Sequence, residues 1–235
     1  MKAELQPLPY IISRFPADPV VSLAGAGGKT TLLFRIARLT DKTSVVTTTT
    51  KVGEDQIAAA DIRITCGEFP PQEPQGVIWV SPSLEPQNGK IHGCTLGKFS
   101  MLAADCGKYH FPLINEADGA ARRHIKAPGV HEPVIPPETN VCFYLAGLDV
   151  LGKPVNEEFV HRPELFCRIT GACFNEPVTA DHIVRLFDHP EGGLKNMPPA
   201  ALKAAYLTHA DTEERLHAGE YIAQKLENYH YICLS

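Results

Sequence analysis

The sequence predicts an α/β fold in three layers, a mainly parallel sheet with helices on both faces. Three observations predict it. Short apolar runs without polar alternation recur along the chain, as strands buried on both faces require. Helix-period stretches separate several of these runs. The first strong run ends in a glycine cluster that opens directly into an amphipathic stretch, a strand-turn-helix junction.

In chain order the strand runs are VVSLA, TSVVTT, DIRIT, VIWVS, FPLIN, VCFYLAG, AAYLT and YHYICL, each bounded by turn residues. After VVSLA and the glycines, Leu32, Leu33, Ile36 and Ala37 share one helical face. Asn88-Gly89, between VIWVSPSL and KIHGCTL, predicts a hairpin turn and so one antiparallel excursion. The last helix, TEERLHAGEYIAQKLEN, has Thr212 as its N-cap and acidic residues in its first turn. Residues 119–140 and 148–163 are rich in proline and charge and show little periodicity. They are expected as long loops, which at that length are more often functional than idle.

With 235 residues and 44% hydrophobic content the chain can bury a sizeable core, and it is expected as a single domain over 1–235. A net charge of -5, from 27 acidic against 22 basic residues, and the lack of a long basic run argue against nucleic acid or an anionic membrane as partner. The opening MKAELQPLPYIISRF has no signal-peptide core, and no stretch approaches the roughly 18 consecutive apolar residues of a membrane span. A cytoplasmic protein is therefore expected. Cysteines 66, 94, 106, 142, 167, 173 and 233 are scattered, odd in number and form no C-x-x-C pair, so most are expected as reduced, small core residues.

The glycine cluster carries the clearest chemistry. The standard phosphate-loop spacing G-x-x-x-x-G-K-[ST] needs a glycine where Leu23 stands, and that strict pattern fails. Gly25-Ala26-Gly27-Gly28-Lys29-Thr30-Thr31 is a shorter G-x-x-G-K-[ST] form, placed after a strand and before a helix. Glycines let consecutive amides approach phosphate oxygens, and the helix N-terminus adds a favourable dipole. The expectation is a P-loop NTPase-like site in which the amides of 25–30 and Lys29 hold phosphates and the Thr30 hydroxyl ligates magnesium. A dinucleotide fingerprint would need glycine where Thr30 stands.

Three further segments can complete such a site. HFPLINEADGA ends a strand in carboxylates that can hold the metal or polarise the attacking group, with Asp118 the first choice and Glu116 the second. The D-x-x-G switch of regulatory GTPases would need glycine at Ala121. VVTTTTK runs a strand into Thr48, Thr49, Thr50 and Lys51, hydroxyls and a cation that can face a ligand, although threonine also favours strands for its β-branch alone. In THAD only Asp211 matches the N-K-x-D that pairs with guanine, and the same residue suits the first turn of the next helix. ATP and GTP both stay open.

Taken together, AGAGGKTT, VVTTTTK, NEADGAARRHIKAP, HEPVIP and AGLDVLGKPVNEEFVHRPE resemble the YqeC-like family of selenium-dependent hydroxylase accessory proteins, from about residue 20 to about residue 165. The resemblance implies a P-loop-type nucleotide-binding fold, with ATP or GTP and magnesium as ligands. It also implies a role in maturing molybdenum hydroxylases that need selenium, with the hydroxylase or its pterin cofactor as partner. On the matching positions it points to Lys29 and Thr30 for nucleotide and metal and to the 116–132 loop for specificity. In that loop Arg122, Arg123, Lys126 and His131 can stabilise charge during phosphoryl transfer or bind an anionic second ligand such as a phosphorylated pterin; a solvated basic loop is the plainer alternative. The short glycine loop is also similar to that of the Mur ligases. A small-molecule kinase or ligase, and a scaffold that binds nucleotide without hydrolysing it, therefore stand as alternatives.

Overall fold

In the computed structural model, which describes residues 3–235, the apolar runs line up as one nine-stranded sheet. In chain order the strands are β1 (Glu4–Leu5), β2 (Val20–Gly25), β3 (Ser44–Thr48), β4 (Lys51–Gly53), β5 (Ile62–Thr65), β6 (Val77–Ser81), β7 (Lys90–His92), β8 (Leu113–Glu116), β9 (Ile125–Lys126), β10 (Val141–Gly147), β11 (Val160–His161), β12 (Leu202–Thr208) and β13 (Tyr231–Leu234). The helices are α1 (Leu8–Ser13), α2 (Lys29–Leu39), α3 (Leu96–Tyr109), α4 (Pro163–Thr170), α5 (Ala180–Asp188) and α6 (Glu213–Lys225). The sheet order is β1-β13-β12-β10-β2-β8-β3-β6-β5, and every neighbouring pair is parallel. None of the described helices is long and apolar enough to cross a membrane.

The period-two alternation of each strand divides its apolar side chains between two layers. Val21 and Leu23, Phe143 and Leu145, and Ile114 pack with Leu8 and Ile11 of α1 and with Leu32, Leu33 and Ile36 of α2. On the opposite face Cys142, Tyr144 and Ala146 meet Phe166, Ile183, Leu186 and Ile222 of α4 to α6, while Val45, Ile78 and Leu113 meet Phe99 and Leu102 of α3. A buried polar seam separates these last two groups: Ser22 Oγ lies 2.8 Å from Thr139 Oγ1, and Asn115 Nδ2 donates to Ser22 Oγ at 3.4 Å. Thr212 caps α6, its hydroxyl accepting from the Arg215 amide at 3.3 Å.

Connections from β2 run towards β3, β6 and β5, whereas those after β8 cross to β10, β12 and β13. The order therefore reverses between β2 and β10, where the carboxyl ends of parallel strands leave a crevice suited to a ligand. At that point the backbones come unusually close. Gly25 has φ +96, and a Cβ there would lie 2.3 Å from the Leu145 carbonyl oxygen; a Cβ on Gly27 would lie 2.6 Å from the Gly147 nitrogen.

The two long loops, expected without periodic structure, carry short strands. They join through β9 and β11, Ile125 opposite Val160, and they bury Ile125, Ala127, Val150, Val155 and Val160 in the core. The sparse apolar residues of these segments lack helix or strand spacing, so periodicity gave no sign of their burial. The Asn88-Gly89 turn is present, with φ 52 and φ 69 and an antiparallel bridge from Gln87 to Lys90. Its outgoing arm, however, does not return along β6; β7 pairs antiparallel with β4 instead.

Two cysteines far apart in sequence also meet. Cys66 Sγ lies 3.7 Å from Cys94 Sγ. A hydrogen bond from the Cys94 thiol lowers the Cys66 pKa to about 7, while that same bond and burial push Cys94 up. Iodoacetamide alkylation of Cys66, followed by peptide mass spectrometry, is expected to titrate near pH 7 and to move towards the ordinary thiol value in Cys94→Ala. Gly25→Ala combines a strained φ with overlap onto backbone, an expected cost of about 2–6 kcal/mol. Calorimetry should then record a melting temperature lower by on the order of 10 °C in a chain of this size.

Candidate functional site

The glycine loop leaves β2 at Gly25 and enters α2 at Lys29, with Gly27 and Gly28 at φ 83 and φ 104. Three positive-φ glycines turn the chain within four residues, a path that side-chain-bearing residues resist. The Thr208 hydroxyl donates to the Gly27 carbonyl at 2.9 Å and pins the loop to the end of β12. The amides divide into two sets. Gly25 N donates to Asp118 Oδ2 at 3.1 Å and Ala26 N to the Leu145 carbonyl at 2.9 Å, so these two are engaged inside the fold. Those of Gly27 to Thr31 have no protein acceptor among the described residues. The amides free to meet an anion are thus 27–31 rather than the expected 25–30, because the first two remain tied to neighbouring strands.

The neighbouring strand β8 brings its carboxylates to this loop. Thr30 Oγ1 donates to Glu116 Oε2 at 2.8 Å, and Gln56 Nε2 donates to Thr30 Oγ1 at 2.9 Å. Burial raises the Glu116 pKa, opposed by the charge of Lys29. Asp118, fully buried, lies between two ammonium groups: Lys29 Nζ at 3.2 Å and Lys126 Nζ at 2.9 Å. Lys29 also donates to the Gly25 carbonyl at 2.7 Å. Lys126, itself fully buried, donates to the Gly119 carbonyl at 2.6 Å and to Glu132 at 2.7 Å, and Glu132 in turn pairs with Arg162 at 2.8 Å. Burial alone would raise the Glu132 pKa, but the hydrogen bonds from Arg162 and Lys126 outweigh it and bring the pKa to about 2.

A cavity of about 310 Å³ opens over this cluster, lined by Gly28, Lys29, Thr30, Lys51, Glu116 and Arg122 among others. Arg123 and His124 form its far wall and also line a second cavity of about 210 Å³ that includes Lys153 and Phe159. On the other side of the glycine loop a cavity of about 360 Å³ is lined by Thr31, Tyr206, Thr208 and Asp211. The residues fit a magnesium-bound polyphosphate: a row of five acceptor-less amides at a helix N-terminus, a lysine, and a hydroxyl-carboxylate pair for a hard cation.

The structure brings together Lys29, Thr30, Thr31, Glu116, Lys51 and Arg122 at one cavity. Thr49 is not brought to it: it lines a separate cavity with Thr50, Lys51 and His92, because its hydroxyl donates to the Val134 carbonyl at 2.7 Å, and Thr48 is buried on the Glu116 carbonyl. Asp211 is exposed at the far cavity and takes a hydrogen bond from Arg215 at 2.7 Å, which lowers its pKa. Lys126 is a buried structural cation rather than a free one, and His131 is exposed. Gln56 and Asp149 were missed, because single residues in short 3-10 turns carry no sequence signature, and His209 was missed because its position just after β12 gives no sign of what it meets in space.

Residues 21–164 match the YqeC protein family. The chain belongs to that family. It is also similar to the uncharacterized protein YqeC of Escherichia coli strain K12, with 29% identity over 221 residues, 89% of this chain and 83% of the relative. No solved structure matches the chain significantly. Within this family member the buried charges predict an acid response. The Glu132 pKa is held at about 2, below the ordinary 4.5, so its contribution to stability is present above about pH 4.5 and is lost as pH falls through about 2. Urea midpoints measured from pH 7 down to pH 3 should show the wild type more stable than Glu132→Gln at neutral pH, with the gap narrowing below about pH 5. A gap independent of pH would contradict the assignment.

Proposed function

We propose that this YqeC family member binds a magnesium-bound nucleoside triphosphate at the glycine loop and acts as an NTPase or phosphoryl transferase. The observation that carries the reading is the Thr30 hydroxyl bonded to Glu116 at 2.8 Å, beside five consecutive amides without protein acceptors. A hydroxyl and a carboxylate presented side by side at a helix N-terminus suit magnesium together with phosphate oxygens.

The roles divide by position. The amides of 27–31 and Lys29 hold the phosphates, and Thr30 and Glu116 place the magnesium. Asp118 keeps Lys29 on the site and keeps Lys126 paired behind it, so it acts through the two lysines rather than on the metal. Magnesium supplies charge neutralisation between the phosphates. Lys51, Arg122 and Arg123 face the same cavity and can take up negative charge on the transferring group.

The lining is continuous with that of the second cavity, the two sharing Arg122, Arg123 and His124, and there Lys153 and Phe159 offer a cation and an aromatic face. This continuity favours an anionic, ring-bearing second ligand beside the terminal phosphate. A pterin cofactor has that chemistry, which supports a place for the protein in the maturation of selenium-dependent molybdenum hydroxylases in the cytoplasm. The same continuity also accommodates the small-molecule kinase alternative, with the second ligand as phosphoryl acceptor.

Isothermal calorimetry with ATP and GTP, each with and without magnesium, tests the nucleotide site. Lys29→Ala is expected to weaken binding of the magnesium nucleotide at least about tenfold, the loss of one charge-assisted contact or more. Thr30→Ala should lose most of the magnesium dependence while keeping residual binding of free nucleotide. Wild-type affinity in both variants would remove the glycine loop from nucleotide binding.

A further inference from the structure

We propose that His124, Asp149 and His209 form a binding site for a divalent first-row transition-metal ion, distinct from the magnesium position at the glycine loop and independent of nucleotide. The three residues come from three separate segments: the loop after β8, the turn that follows β10, and the end of β12. One potential ligand atom from each lies within 4.8 Å of the others. The two imidazole rings stack with centroids 5.0 Å apart and planes only 5° from parallel.

Gly147 makes the convergence possible. A Cβ at this position would lie 2.6 Å from Asp149 Oδ1, 3.0 Å from the His124 Cβ and 3.3 Å from the His209 Cδ2, so each of its three nearest neighbours belongs to the cluster. The Gly147 amide also donates to the His124 carbonyl at 2.7 Å and fixes that segment against the end of β10. Any side chain at 147 would spread the group apart.

Two features remain unexplained by packing. Asp149 Oδ2 is bonded to His124 Nδ1, whereas Asp149 Oδ1 is buried with no hydrogen-bond partner among the described residues. A buried carboxylate oxygen without a partner is costly, and a cation beside it removes the cost. His209 holds φ 60, a left-handed conformation that a non-glycine residue adopts at some expense. The bonds on either side of it, Thr208 Oγ1 to the Gly27 carbonyl at 2.9 Å and Ala210 N to the Ser235 carbonyl at 3.0 Å, hold it there. Strain of this kind gathers where a side chain must be aimed.

The donor set selects the ion class. Two imidazoles and one carboxylate suit zinc, iron, cobalt, nickel or manganese, whereas magnesium and calcium favour oxygen donors. Three protein ligands leave coordination positions open. His124 and Asp149 both line the second cavity, and His124 lines the phosphate-side cavity too, so the cluster borders both.

Tag-free protein, stripped with a chelator and dialysed, is titrated with zinc chloride by calorimetry and with cobalt chloride by visible absorption, in the absence of nucleotide. The wild type is expected to bind one equivalent, with cobalt d–d bands of a nitrogen- and oxygen-ligated ion, and to gain thermal stability on adding zinc. Asp149→Asn preserves the shape of the side chain, and His209→Asn places there a residue that tolerates positive φ. Each should weaken metal binding at least about tenfold, the lower end of what even outer-shell changes cost. Cys66→Ser serves as control and should bind as the wild type does. Circular dichroism identifies any variant that fails to fold, in which case the other decides. Wild-type affinity in a folded Asp149→Asn or His209→Asn, no equivalent bound by the wild type, or loss of the site in Cys66→Ser with thiolate charge-transfer bands from cobalt would overturn the proposal.

Discussion

Burying Asp118 and Lys126 completely is the constraint around which the rest of the site is arranged. Charges withdrawn from water are tolerated only when each finds opposite charge and hydrogen bonds. Here the requirement is met by a chain of alternating sign, Lys29 to Asp118 to Lys126 to Glu132 to Arg162. The chain begins on the glycine loop, passes through the strand end of β8 and ends beside β11. Removing one member would strip a charged partner from each of its neighbours. The loops at 119–140 and 148–163 are therefore tied to the glycine loop by electrostatics and to each other by the short pairing of β9 with β11.

The sheet order supplies the geometry in which that chain can form. Because β8 lies directly beside β2, Glu116 meets Thr30 at the mouth of the helix and Asp118 meets the Gly25 amide. Because β10 lies on the other side, Gly25 and Gly27 pass within van der Waals contact of Leu145 and Gly147. The crevice where the order reverses thus has the glycine loop on one side and the His124, Asp149 and His209 cluster on the other. Gly147 contributes to both, as the backbone against which Gly27 packs and as the gap into which the cluster converges.

Much of the fold was legible along the chain. Each apolar run became a strand, and Leu32, Leu33, Ile36 and Ala37 form the buried face of α2. Thr212 caps α6, and the glycine loop joins strand to helix. The two-residue strands β1, β9 and β11 were not, since two residues carry no period. Nor was the pairing of β7 with β4, because a turn specifies the reversal of the chain but not which strand the outgoing arm will meet. Within the site, Lys29, Thr30 and Glu116 were legible from spacing and context, while Gln56, the Cys66 and Cys94 contact and the histidine cluster were not.

The sequence by itself determined what depends on neighbours along the chain: burial pattern, helix caps, the positive φ of the glycines, and the presence of carboxylates at the end of β8. These follow from side-chain period and local backbone sterics, which act over a few residues. Only the tertiary structure decided which carboxylate meets Thr30 and which is enclosed between two lysines, and that Lys126 is buried while Arg122 is exposed. It alone brought His124, Asp149 and His209 to one point. Each of these depends on strand order and on the desolvation cost of charge, which is set by what surrounds a group in space and not by what precedes it in the chain.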